Sequence, residues 1–248
     1  MRNAAACLAM LVVLALAALP AGAAEEGAAG YGALLARFVH NGWVDYKGLK
    51  AAQGELDTAL AALGHVDAAA LPPKAQFAYY INVYNAWTLK LILEHYPGIR
   101  SIKDAGSFFR SPWKLSFVRL RDGTYSLDDI EHGILRPRFH DPRMHFAVNC
   151  ASKSCPPLAS APYDGVTLDA QLDAAARAFI DNPHNVSFKD GTLHVSRIFD
   201  WYGEDFGGAA GVWTFIRRFA SPSLARDMDA AARHELAYDP YDWALNGK

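Results

Sequence analysis

Two cysteines five residues apart, Cys150 and Cys155, sit in the run His145-Phe-Ala-Val-Asn-Cys-Ala-Ser-Lys-Ser-Cys-Pro156. A thiol becomes a nucleophile when a cation, a helix start or nearby donors stabilise its thiolate. A histidine in hydrogen-bond reach can then take the proton. His145 lies in the run and His132 lies in the segment before it. On a regular strand His145 and Cys150 would point to opposite faces. His145 therefore reaches Cys155 only if the loop folds back, and Cys150 has His132 as the alternative partner. Glu131, Asn149 or Asn85 would orient the imidazole. Lys153 and the backbone amides of Ser152 and Ser154 would stabilise an oxyanion. These residue types point to a thiol-dependent hydrolase or acyl transferase acting on an amide or ester, with Cys150 or Cys155 attacking.

Other chemistries use the same residues. In an exported protein two cysteines most often join, so a structural Cys150–Cys155 disulfide in a non-catalytic envelope binding module is the rival reading. A reducible pair would instead make a thiol redox protein, although C-x4-C is not the C-x-x-C spacing of thioredoxin-like sites. His132, His145, Cys150 and Cys155 are zinc-ligand types without a close-spaced pair. Asp128, Asp129 and Glu131 mimic an acidic pair, but a capped helix start explains the first two. There is no Gly-rich phosphate loop, G-x-S-x-G elbow or H-E-x-x-H helix, so no cofactor and no metal is expected.

The elements that must position these residues are legible in outline. Tyr31 to Val39 reads as a helix stopped by Asn41-Gly42, with Trp43 to Tyr46 extended after it. Leu49 to Leu63 reads as a second helix. Pro72-Pro73 opens a third, ending at Pro97-Gly98. That third helix is apolar nearly all round, which suits a central position. Its Asn82 and Asn85 must then find partners, either in loop backbone or in a site. Trp113 to Leu120 reads as a strand. Ser126 and Asp129 form a capping box that opens the helix carrying Glu131, His132 and Arg136, closed by Pro137. Arg143 to Cys150 reads as a buried strand, Thr167 to Asp181 as an amphipathic helix and Val186 to Val195 as a hairpin. Short helices over Val212–Phe219 and Ser223–His234 and a strand within Glu235–Trp243 complete the chain. The order argues α+β: a single domain, its helix-rich N-terminal half packed on a small antiparallel sheet.

Arg2, the apolar run Leu8–Leu19, and the small residues Ala21 to Ala24 have the layout of a cleavable signal peptide over residues 1–24, cut near Ala23 or Ala24. Residues 25–248 then form one domain, periplasmic or secreted, with no membrane segment after cleavage. A hydrophobic content of 52% and a formal charge of -2 describe an ordinary globular chain and exclude the basic surface of a nucleic-acid binder. The substrate, whether small molecule, peptide or glycan, is not specified by any of these residues.

Several segments together resemble the DUF547 family. They are Tyr80-Ile-Asn-Val-Tyr-Asn85, Ser126 to His132 with Leu135-Arg136, Asp141 to Cys150 with Ser154-Cys155-Pro156, and Ile198 to Tyr202 with Asp205-Phe206. The motifs span roughly residues 75–206. Ala151 stands where the family pattern often has glycine. The resemblance implies an exported bacterial protein. It also hints at thiol chemistry, because larger members can carry a glutaredoxin-like unit.

Overall fold

The computed structural model describes residues 22–107 and 109–248. The expected signal segment lies almost wholly outside them. Helix α1, Gly22–Phe38, starts nine residues before the helix read from the sequence. The Asn41-Gly42 pair makes more than a stop: both residues have positive φ, the signature of a two-residue hairpin turn. It joins β1, Val39–His40, to β2, Trp43–Val44. The single helix expected over Leu49–Leu63 is two, α2 (Tyr46–Ala51) and α3 (Gln53–Gly64).

Helix α4, Pro73–His95, is the axis of the molecule. Proline at its first position presets φ and gives up no hydrogen bond. Seventeen of its 23 residues are buried, so it has no polar face to show to water. Its Asn82 and Asn85 amides are satisfied by loop backbone. Asn82 donates to the Tyr163 carbonyl at 2.8 Å and accepts from the Tyr163 N–H at 2.9 Å. Asn85 makes the same double clamp on a different segment, donating to the Ala147 carbonyl at 2.9 Å and accepting from the Asn149 N–H at 2.8 Å. A spacing of three aims both amides at chain crossing one side of the helix.

The strand expected over Trp113–Leu120 shrinks to β3, Val118–Leu120, paired with β4, Gly123–Tyr125. Ser126 and Asp129 cap each other as expected, but the helix they open widens into a π-helical stretch, Asp129–Leu135. Pro137 does not close it; it sits in the first turn of α5, Arg136–Phe139. The strand expected over Arg143–Cys150 is absent. Pro142–Phe146 is a tight helical turn, capped by the Asp141 side chain. Alternation of apolar residues is a weak guide where Pro142 fixes one φ and Asp141 binds the Arg143 amide.

Helix α6 (Leu168–Ile180), β5 (Val186–Lys189), β6 (Thr192–Val195), α7 (Ile198–Trp201), α8 (Gly208–Phe219), α9 (Pro222–Asp229) and β7 (Leu236–Tyr238) follow. The β5–β6 hairpin turns at Asp190-Gly191, both with positive φ. The protein is α+β in a single domain. Its strands form three small sheets, the last with β7 added parallel to β6.

Two hydrophobic cores meet at the turn before Cys150. One surrounds α4 and includes Met144, Ala147 and Val148. The other, built by α6 to α9 and the β5–β6 hairpin, takes Phe146. Consecutive residues of one turn are therefore buried in different cores, and His145 stands on the seam.

Candidate active site

The thiol loop is held from three directions. Asn85 grips its entry, as described. Asn149 closes it internally, donating to the Pro156 carbonyl at 2.7 Å and accepting from the Ala151 N–H at 2.9 Å. The last residues of the chain then run alongside it. Asn246 N–H donates to the Ala151 carbonyl, Lys153 N–H to the Ala244 carbonyl and Ser154 N–H to the Asp242 carbonyl. Ala151 has φ of 60°, in the left-handed region, where glycine is unstrained and alanine is not.

Inside that frame the two sulfurs lie 2.8 Å apart as free thiols. A disulfide would bring them to about 2.05 Å, and the pair is placed to form one. The Cys150 N–H donates to Cys155 Sγ at 2.9 Å. Cys150 Sγ also meets Ser152 Oγ at 3.1 Å and the Tyr241 hydroxyl at 3.3 Å, and those two hydroxyls are 2.9 Å apart. The donors pull Cys150 down to about 7, with the Cys155 thiol the largest contributor and Ser152 and Tyr241 next; burial and the negative charge of Glu131 oppose them. Burial, reinforced by the charge on Cys150, pushes Cys155 well up. Tyr241 is raised too, first by burial and then by both sulfurs, so it stays a protonated donor. The thiols are thus unequal: Cys150 ionises near neutrality and Cys155 holds its proton.

The histidines join the same cavity but not the sulfurs. Among the described residues no hydrogen bond links either imidazole to either thiol. His145 is buried and its Nε2 bonds Asp205 Oδ2 at 2.7 Å. A carboxylate only accepts, so the proton sits on Nε2. Among the described residues the buried Nδ1 of His145 has no hydrogen-bond partner. Arg136 grips the same carboxylate with two donors, at 2.6 and 2.7 Å. Together they hold Asp205 well below the ordinary carboxylate range, the His145 hydrogen bond being the larger influence. Arg136 also donates to His132 Nδ1 at 2.9 Å, which assigns the neutral His132 proton to Nε2, since arginine has no acceptor. Glu131 is buried and accepts from the Tyr202 hydroxyl at 2.5 Å, and the Tyr202 ring stacks on His145 with centroids 4.0 Å apart.

A cavity of about 240 Å³ opens over these groups. Cys150, Cys155, Glu131, His132 and His145 all line it, with Tyr84 and Val148 from the first core and Ile198 and Tyr202 from the second. Trp113, Trp201, Tyr241 and Trp243 form its aromatic wall. Asn85 and Asn149 do not line it, and neither orients an imidazole; Asp205 does that for His145 and Arg136 for His132. The Asn82/Asn85 face is likewise not a wall. The oxyanion role drawn for Lys153 and Ser154 also fails, because the Ser154 amide is bonded to Asp242 and Lys153 lies exposed beside the Asp242 carboxylate. No group of three or more His, Cys, Asp or Glu among the described residues is arranged to hold a metal ion. The zinc reading therefore has no geometry.

Tyr202, Asp205 and Tyr241 carry no chemical role in the sequence reading, which gave Ser152 a role through its backbone amide and not its hydroxyl. Asp205 had a signal, its place in the Trp-Tyr-x-x-Asp-Phe run. Tyr241 had none, since it meets a thiol 91 positions away.

Residues 68–180 match the family model described as a protein of unknown function, DUF547. That matched stretch is similar to DUF547 and spans less than half of the chain. It holds Asn85, Glu131, His132, His145, Asn149 and both thiols, whereas Tyr202 and Tyr241, which line the cavity, and Asp205, which bonds His145, lie beyond the matched residues. No curated protein and no solved structure matches the chain. Among the described residues no helix is long and apolar enough to cross a membrane.

Proposed function

We propose that Cys150 and Cys155 are a working dithiol that exchanges with disulfides, with Cys150 attacking and Cys155 resolving. One observation carries this reading: the partner closest to the acidified Cys150 sulfur is a second thiol at 2.8 Å, not an imidazole. The Cys150 thiolate attacks one sulfur of a substrate disulfide, forming a mixed disulfide and releasing a thiolate that takes up a proton. Cys155 then loses its proton, attacks Cys150 Sγ and releases the second thiolate. The substrate gains two electrons, and the site ends as a Cys150–Cys155 disulfide. An external dithiol returns the electrons by the same steps reversed. Ser152 and Tyr241 donate to the attacking thiolate. The reading suits an exported protein, with the signal peptide cut near Ala23 or Ala24, because thiol exchange is in demand where disulfides form.

The test uses the reduced protein and bis(2-hydroxyethyl) disulfide, followed by intact mass. Wild type should lose two hydrogens without a lasting adduct. Cys155→Ser should accumulate the mixed disulfide on Cys150, and Cys150→Ser should form neither. A Cys155→Ser protein that stays unmodified would remove the proposal.

A second reading, the thiol hydrolase or acyl transferase, is favoured by the bare Nδ1 of His145, aligned by Asp205 in a residue that lines the same cavity. Turnover of a chromogenic ester that needs Cys150 and His145 but survives loss of Cys155 would select it.

A further inference from the structure

Every formal charge lining the cavity wall, apart from the two imidazoles, is negative: Asp128 and Glu131, with no lysine or arginine beside them. Arg136 is nearby, but both edges of its guanidinium are occupied, by Asp205 and by His132. An incoming anion would meet these carboxylates and the Cys150 thiolate itself, and among the described residues no lysine or arginine lines the cavity to receive it. The aromatic side adds to the bias. Trp201 and Trp243 stack at 5.5 Å, and Tyr241 lies 4.5 Å from Trp243, giving electron-rich faces within one small hollow. One of these rings already holds a cation: Lys103 Nζ sits 3.7 Å from the centre of Trp243. Aromatic faces attract ammonium groups most strongly where water is partly excluded. Lys153, in the thiol loop, is offset by Asp242.

We infer that this cavity selects small disulfides or thiols bearing ammonium groups and disfavours dicarboxylate ones, the acidic edge of Asp128 and Glu131 taking the cation while the aromatic wall covers the chain between it and the sulfur. The inference rests on the dithiol reading and names its substrate class. A volume of about 240 Å³ suits a compact aminothiol disulfide.

Three compact disulfides of similar length separate charge from reactivity: cystamine (a dication), bis(2-hydroxyethyl) disulfide (neutral) and 3,3'-dithiodipropionate (a dianion). The second-order rate constant for oxidation of the reduced wild-type protein is measured for each by stopped-flow tryptophan fluorescence. Each value is divided by the rate of the same disulfide with dithiothreitol, which removes differences in leaving-group acidity. The expected order is dication, neutral, dianion, with about tenfold between the extremes at low salt, narrowing as salt is raised. Glu131→Gln and Asp128→Asn should each compress the ratio. Equal normalised rates, or a preference for the dianion, would overturn the inference and leave the dithiol reading standing. Failure of all three compounds to react would remove both.

Discussion

Asn85 Oδ1 accepts a 2.8 Å hydrogen bond from the Asn149 backbone N–H, so the buried central helix directly fixes the residue before Cys150. The other half of that amide holds the Ala147 carbonyl. Asn85→Ala strips partners from two buried backbone groups at once, and each orphaned group costs about 1–3 kcal/mol. We expect Asn85→Ala to lose roughly 2–4 kcal/mol in urea unfolding. Cys150 in the folded variant should also alkylate with a less acidic profile. A change below about 0.5 kcal/mol would show that water replaces the clamp.

The acidity of Cys150 should belong to the pair. Iodoacetamide alkylation of the reduced protein should rise through a midpoint at about 7, where an unperturbed thiol titrates near ~8.5. Replacing Cys155 by alanine removes the largest stabilising donor and should move that midpoint upward. An unmoved midpoint in Cys155→Ala would mean that Ser152 and Tyr241 suffice.

Tyr241 offers a separable test because it touches the thiolate without contributing electrons. Tyr241→Phe keeps the ring on Trp243 and deletes one donor to Cys150 and Ser152. At pH 7 its alkylation should be roughly threefold to tenfold slower, with the gap closing at high pH where both proteins are fully ionised. A constant gap at every pH would point to altered access instead.

Asp205 predicts a stability effect with a defined sign. Its folded-state acidity is strengthened by His145 and Arg136. Its contribution is therefore fully present above the ordinary carboxylate value of about 4 and is lost as pH falls below it. Asp205→Asn should cost about 2 kcal/mol at pH 7 and flatten the fall in stability on acidification from about pH 4. Parallel pH curves for the two proteins, read from thermal unfolding, would contradict this.

The sequence made local chemistry legible and distant chemistry not. Pro73 opening α4, the Ser126/Asp129 box and the Asp190-Gly191 turn are each decided within a few residues, and each is found. Cys150, Cys155, His132, His145 and Glu131 were singled out by type, and all five line one cavity. Their pairing was not readable. Whether His145 faces a thiol or Asp205 depends on the seam between two cores, which no periodicity encodes. The same holds for Asn85 and Asn149: their type announces a buried hydrogen bond, but only the packed loop reveals that backbone, not imidazole, receives it. The segment from Arg143 to Cys150 misled because its apolar residues serve two cores in turn, and that mimics the alternation of a strand.

The docking of the final segment against the thiol loop also bears on timing. One of the donors that acidify Cys150, the Tyr241 hydroxyl, arrives from a position 91 residues away, and contacts that distant are costly to close early in folding. A chain whose other elements have already collapsed would still lack that donor, and Cys150 would reach its full acidity only when the final segment docks.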